Sequence, residues 1–461
     1  MKEKIIKIIE SWANINGNIN DTQEIIEWVN YLNKTTEVEI KESKIEENTF
    51  WFYDEDKGEI LNKKGSFFSI KGIKMFHNDK VIIEQPIIKQ SEIGYLGIIC
   101  KRIDGVMNFL MQAKIEPGNI NCVQISPTIQ ATKSNFTRMH GGHAPLYFEY
   151  FRDANKHSII LDQIQSEQSS RFYKKRNRNM IIEIDEDIEV YPNYKWMTLG
   201  QIKQLMKIDN LVNMDTRTVI SGIPFIVPKF EKDELEYIEA LFNDKELYNS
   251  IFFGENMSLI DIYHYINNFK MFNNKKIKEV PLNELSQWIV SSEGIECKEK
   301  SDFIVKYYDV SINGREVQKW TQPLLKANGI GIFGLITCKK EGKRKFLINA
   351  KSEIGCFDRI ELGPSVQIEP TSNFENNAVE SLFKKKLENN SGIKIDVLLS
   401  EEGGRFYHEQ NRNVILEVHE GELSTLPEGY FWLDYSTLNY LIQVNNCLNI
   451  QLRNLISLLE V

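Results

Sequence analysis

This chain of 461 residues contains no run of about 18 apolar residues, so nothing in it reads as a membrane span. Its six cysteines, Cys100, Cys122, Cys297, Cys338, Cys356 and Cys447, are scattered without CxxC spacing. That argues against structural zinc and fits free thiols in a reducing cytoplasm. Lys and Arg (56) are outnumbered by Asp and Glu (65), for a net charge of −9. The balance excludes a nucleic-acid binder that works by broad phosphate neutralisation. GxGxxG, a Walker A loop and the ordered glutamates of a Nudix box are all missing. Their absence argues against dinucleotide-dependent redox chemistry, P-loop phosphoryl transfer and magnesium-dependent diphosphate hydrolysis. The opening Met1-Lys2-Glu3-Lys4-Ile5-Ile6-Lys7-Ile8-Ile9-Glu10 carries charge inside its apolar run and reads as an amphipathic helix, not a signal peptide.

What the chain has is a long internal repeat. Ser166–Ile184 returns, without a gap, as Ser400–Val418, with ten of nineteen positions identical. Gln85-Pro86-Ile87-Ile88-Lys89 matches Gln322-Pro323-Leu324-Leu325-Lys326, and Phe109–Lys114 matches Phe346–Lys351. Val123-Gln124-Ile125-Ser126-Pro127-Thr128 matches Val366-Gln367-Ile368-Glu369-Pro370-Thr371, and Trp196 matches Trp432. The offset stays near 234–243, so two large collinear copies are present. A solenoid would repeat at about 20–50 residues. The retained Arg and Asn residues are poor core formers, which points to binding more than packing.

Hydrophobic spacing predicts helices in the first forty residues, with Asn20-Asp21 as a cap for Ile25, Ile26, Trp28, Val29 and Leu32. The second copy is expected to open similarly, at Glu284–Val290. Strand-like runs dominate from about Phe67 to Gln130 and recur at Met180–Ile184, and helices are predicted after Trp196 and Trp432. Trp196 and Trp432 themselves are expected in the core. Each copy is therefore expected to be α+β, a mixed sheet with flanking helices. The expected division is a first repeat over 1–228, a helical connector over 229–280 and a second repeat over 281–461.

One segment was not copied. After Thr128 the first copy runs Ile129-Gln130-Ala131-Thr132-Lys133-Ser134-Asn135-Phe136-Thr137-Arg138-Met139-His140-Gly141-Gly142-His143, dense in groups that donate or accept protons. After Thr371 the second copy has Ser372-Asn373-Phe374-Glu375 and then a charged, helix-like Phe383–Glu388, without counterparts of Arg138, His140 or His143. Chemistry is therefore expected in the first copy only. Tyr147–Phe151 alternates in a way that predicts a strand with Tyr147, Glu149 and Phe151 on one face.

The run Gln124-x-Ser126-Pro127-Thr128-x-Gln130 to Arg138, then Glu149-Tyr150-Phe151, Gln165-Ser166-Glu167-Gln168 and Lys175-Arg176-Asn177-Arg178-Asn179-Met180, closely resembles the NDP-hexose 2,3-dehydratases. The resemblance covers nearly the whole chain. It implies two Nudix-like domains, a homodimer, and loss of water across C2 and C3 of a dTDP-4-keto-6-deoxy-hexose. The departures are Lys133 where Arg is commoner, Phe136 where Tyr is common, and Gly141-Gly142-His143 after His140.

Such a reaction needs a base for the C3 hydrogen, a donor for the enolate oxygen and an acid for the C2 hydroxyl. The ketone is its own electron sink, so neither redox cofactor nor metal is expected. His140 is the expected base, since histidine is poised near neutral pH, with Glu149 and Glu167 as rivals. Lys174, Lys175, Arg176 and Arg178 are candidates for the diphosphate and the enolate, with Lys174 reading better as a solvated basic edge, and as a strand this segment would put Arg176 and Arg178 on one face and Asn177 and Asn179 on the other. Gln130, Thr132, Ser134, Asn135, Arg138, Tyr147, Gln165, Gln168 and Asn179 complete the expected substrate contacts. Arg405, Tyr407, Asn411 and Arg412 are a candidate second nucleotide site. A 3,4-diketo product is labile, so coupling to a 3-ketoreductase is expected. The alternatives are a non-catalytic sugar-nucleotide-binding protein and, disfavoured by the missing box, a diphosphate hydrolase.

Overall fold

A computed structural model describes residues 2–48, 50–65, 67–132, 145–225, 230–255, 258–313, 318–374 and 377–461. Four sheets and the helices between them form a mixed α+β architecture in which every major element of the first half has a counterpart in the second.

Each half has a seven-stranded mixed sheet. In the first, Arg176–Glu183 lies parallel to Gly94–Ile103, in register Asn177 to Gly94. In the second, Gln410–Val418 lies parallel to Gly331–Lys340, in register Asn411 to Gly331. Even an irregularity is copied, at Ile159/Leu161 and at Ile393/Ile395. Gly97 and Gly334 sit mid-strand because an aromatic ring covers each. A Cβ there would lie 2.3 Å from the ring of Phe151 or Phe383. Those rings belong to helices Phe148–Arg152 and Ala378–Glu388. The alternation of Tyr147–Phe151 is therefore helical, a correction to the expected strand. Tyr147 enters the helix with φ +62° and donates its hydroxyl to Glu189 O at 2.6 Å.

The core of the two mixed sheets is continuous across the duplication. Helices Met214–Ser221 and Ile450–Ser457 pack against each other at its centre, N-capped by Asn213 and Asn449. Each carries a fully buried arginine that reaches into the other half: Arg217 donates to Ser400 O at 2.7 Å, and Arg453 donates to Ser166 O. Burying a guanidinium is tolerable only with such partners.

The two smaller sheets are laced together by exchanged strands. Val38–Ser43, from the first half, pairs with Phe303–Ile312 of the second. Lys276–Val280, at the end of the expected helical connector, is a strand and pairs with Ser69–His77 of the first half.

The expected N-terminal helices are present. Asp21 and Glu24 form a capping box for Thr22–Thr35, and Thr198 and Gln201 form one for Leu199–Leu205. The expected match at Glu284–Val290 is corrected: Trp288–Ser291 is a strand, equivalent to Trp51–Asp54. The helices standing opposite Lys2–Ala13 and Thr22–Thr35 are Lys245–Phe252 and Leu259–Phe272. Lys245–Phe252 packs on Lys343–Lys351 as Lys2–Ala13 packs on Val106–Ile115. Among the described residues no helix is long and apolar enough to cross a membrane.

Candidate active site

A cavity of about 600 Å³ opens where the two halves meet. The first mixed sheet supplies Gly94, Tyr95, Leu96, Lys114, Gln130, Ala131 and Asn177, with Glu116, Thr132 and Lys175 just beyond strand ends. Asp215 comes from the first turn of Met214–Ser221. The first small sheet and its loops add Phe50, Trp51, Asn62, Lys64 and Phe67. From the second half come Trp320, Thr321, Gln322, Glu402, Gly404 and Arg405.

Glycine makes this meeting possible. Gly118 N donates to Gly403 O at 2.7 Å, and Gly118 O accepts from His408 N at 2.8 Å. A Cβ on Gly118 would fall 1.5 Å from Phe406 O, so no other residue allows the approach. Gly355 repeats the contact: its N donates to Ser169 O at 2.8 Å, and its O accepts from Lys174 N at 2.8 Å. Each half thus hands a loop to the other, and Arg405 arrives in the first half's cavity. Its guanidinium donates to Gln90 Oε1 at 3.0 Å and lies over Phe67 and Phe68, at 4.5 and 4.4 Å.

The floor is a dense set of charges. Lys175 is buried and donates to Glu92 O at 2.6 Å; burial lowers its proton affinity, while Glu167 and Glu402 oppose that. Glu167, behind it, accepts from Asn177 Nδ2 at 2.6 Å, and burial raises its pKa. Glu116 is held by Lys114 at 3.3 Å and by Gln130 Nε2 at 3.1 Å. Desolvation and the charges of Glu167 and Glu116 push Glu402 up to about 7. Asp215 is raised well above the usual carboxylate range, by burial first and then by Glu402, Glu167 and Glu116. Carboxyls of raised proton affinity beside a lysine can donate and accept protons in one place.

Of the residues anticipated from sequence, Lys175, Gln130 and Thr132 line this cavity, and Glu167 lies behind Lys175. His140, Ser134, Asn135 and Arg138 lie outside the described residues, in the segment that follows Thr132. The other candidates are not brought to the cavity. Glu149 is exposed on its helix. Gln165 is buried, donating to Ile442 O at 2.8 Å. Gln168 is buried near Glu409. Arg176 and Arg178 do share the less buried face of their strand, with Asn177 and Asn179 on the buried one. Arg176 stacks on Phe357 at 3.7 Å, Arg178 pairs with Asp162 at 2.6 Å, and Asn179 donates to Thr218 Oγ1 at 3.3 Å.

The four residues of the candidate second site are also dispersed. Arg405 serves the first cavity, and Tyr407 stacks on Tyr308 at 4.3 Å. Asn411 ties Gly331 N to Glu401, as Asn177 ties Gly94 N to Glu167. Arg412 pairs with Asp396 as Arg178 pairs with Asp162. Asn411, Arg178 and Arg412 are thus engaged in holding their own sheets, while the repeated Asn177 and Arg405 also line the cavity.

Sequence reading missed Asp215, Glu402, Glu116, Lys114 and Gln90. A signal for two of them was available. Asp215 aligns with Gln451 between Asn213/Asn449 and Arg217/Arg453, and Glu402 aligns with Gln168. Both are places where the copies agree around a change of charge.

Comparison with known proteins settles the family. The profile described as NDP-hexose 2,3-dehydratase matches residues 22–223 and again 260–459. The chain belongs to that family. It is 36% identical over 420 residues to a dTDP-4-dehydro-6-deoxy-alpha-D-glucopyranose 2,3-dehydratase of Saccharopolyspora spinosa, covering 89% of this chain and 85% of that protein. Enzymes of the same name from Amycolatopsis orientalis and Streptomyces violaceoruber are 34% and 33% identical, each over 88% of this chain and over 83% and 90% of their own lengths.

Proposed function

We propose that this dehydratase-family protein removes water across C2 and C3 of a dTDP-4-keto-6-deoxy-glucose, giving a dTDP-3,4-diketo-2,6-dideoxyhexose. The observation that carries the reading is one cavity lined by a lysine, carboxyls of raised proton affinity and aromatic rings. Phe50, Phe67 and Trp320 offer faces for the base, and Lys64 offers charge for the diphosphate. Lys175 faces the place for the C4 oxygen, where an enolate develops. Gln130 and Thr132 suit sugar hydroxyls, and Thr132 leads into the segment that holds Ser134, Asn135, Arg138 and His140.

Each half is read as Nudix-like, with support from the parallel pair set among antiparallel strands in each mixed sheet. The repeat unit is drawn from the N-terminal helices onward, so that 245–272 belongs to the second copy. The protein acts as a homodimer in a reducing compartment, and a 3-ketoreductase consumes its labile product.

Purified protein incubated with dTDP-4-keto-6-deoxyglucose, NADPH and a trapping 3-ketoreductase tests the reaction. The expected product is one water lighter than the reduced substrate. Tight binding with unchanged sugar would reject dehydration and leave the sugar-nucleotide-binding alternative.

A further inference from the structure

Resting on the dehydration reading, we infer that Glu402, from the second half, is the base that takes the C3 proton, and that Asp215, from the first, is the acid that releases the C2 hydroxyl. Three observations carry the assignment. Both side chains line the cavity. The other carboxyls there are engaged, Glu116 with Lys114 and Gln130 and Glu167 with Asn177; among the described residues Asp215 and Glu402 have no such tie. Finally, the mirror-related positions hold Gln451 and Gln168, amides that lack the proton chemistry.

The environments divide the two roles. Asp215 is 2% exposed and feels the negative charge of Glu402, Glu167 and Glu116, so it holds its proton. Glu402 is half-buried at the cavity wall, with Arg405 and Lys175 favouring its charged form. A Cβ built on Gly404 would lie 3.1 Å from Glu402 Oε1 and 3.4 Å from Glu116 Oε1. The missing side chain leaves Glu402 room beside Glu116. Two carboxyls with separated proton affinities make an acid–base pair.

The step balances. The C3–H bond breaks, its proton goes to the Glu402 carboxylate, and its electrons form the C3=C4 enolate, opposite Lys175. The electrons return to make C2=C3 and restore the C4 ketone. The C2–O bond breaks, and its oxygen leaves as water with the proton of Asp215. The C3 enol then gives its O–H proton to Asp215, and C2 takes the proton held by Glu402. Both groups end as they began, with no oxidant or reductant used.

The test pairs two isosteric variants in deuterated water and follows the C3 hydrogen by proton NMR alongside dehydration. Glu402→Gln is expected to lose both C3 exchange and dehydration, by about 100-fold or more. Asp215→Asn is expected to keep C3 exchange while losing dehydration to a similar degree. Binding of dTDP by titration should be unchanged in both, which separates chemistry from misfolding. The assignment falls if Glu402→Gln still exchanges C3, if Asp215→Asn still dehydrates, or if His140→Gln alone stops exchange. If binding is lost in both isosteric variants, their role is structural and the assignment falls too. Wild-type protein that neither exchanges C3 nor loses water would overturn the dehydration reading itself, and the assignment with it.

Discussion

The cavity of the first half and its mirror image in the second are built from the same backbone and hold opposite electrostatic solutions. Lys175 becomes Glu409, Asp215 becomes Gln451 and Glu402 becomes Gln168. Strand register matches Ile129 to Val366, which puts Glu369 in the place of Thr132 and corrects the match of Val123–Thr128 with Val366–Thr371 read from sequence by six residues. Arg405 and Arg171 persist, as do Glu116 and Glu353. In the mirror region burial raises Glu353 and Glu361 to about 7 and Glu409 to about 8. Arg171 meets Glu369 at 2.9 Å, approaches Glu409 at 4.0 Å and lies 4.5 Å over Phe303. One half presents mixed acid and base groups to a cavity, while the other packs carboxyls around an arginine. A duplicated scaffold separates its copies most cheaply by exchanging side chains at strand ends and helix starts, where the backbone does not care.

The sharpest way to break the comparison is at the shared arginine. Arg171→Ala strands buried carboxyls without their cation and should cost about 3–5 kcal/mol, read as a large fall in Tm by calorimetry. Lys175→Met should leave the fold intact and lower kcat on the order of 100-fold, since in the proposed reaction it removes the charge facing the enolate. Restoration by Lys175→Arg would show that charge alone suffices. Gly404→Ala places a methyl 3.1 Å from Glu402 Oε1 and should slow turnover roughly 10-fold by displacing that carboxylate. Ser170, its mirror position, should accept alanine without kinetic effect.

The pH response sharpens the contrast further. A carboxyl whose folded pKa lies above its unfolded value binds its proton more tightly in the native state. The stability it adds is full below the ordinary value of 4.5 and is lost as pH rises through about 8 for Glu409. Tm should therefore fall over that window, and Glu409→Gln should flatten the fall without changing kcat. Activity should rise through about 7 as Glu402 ionises amid Glu116, Glu167, Lys114, Lys175 and Arg405. The smallest effects belong to the paired surface bridges. Arg178→Ala and Arg412→Ala each break a half-exposed ion pair and should cost under about 1 kcal/mol, equally in both halves.

Local features were legible in the sequence because their causes are local. The Asp21 and Thr198 caps, the strand faces of Arg176–Asn179 and the collinear repeat follow from spacing alone. Tyr147–Phe151 misled because five residues fit both an alternating and a helical pattern, and Gly97, which decides for the helix by accepting Phe151, is distant in sequence. Trp288 misled because its helical look carries no information about the strand it pairs with, at Cys297. The site was only half legible for a topological reason. Lys175, Gln130 and Thr132 lie in the block that drew attention, whereas Glu402 and Arg405 reach the same cavity from the other copy.

The exchanged strands have a consequence for synthesis on the ribosome. Val38–Ser43 has no partner until Phe303–Ile312 has emerged, and Ser69–His77 waits for Lys276–Val280 along one edge. The first half leaves the exit tunnel with an open hydrogen-bonding edge, the kind of surface on which nascent chains of a polysome associate. The cavity closes later still, when the loop carrying Glu402 and Arg405 is delivered past Gly118. Translation therefore completes the cavity floor almost last, and a truncated product would carry the first repeated block without the residues that close its cavity.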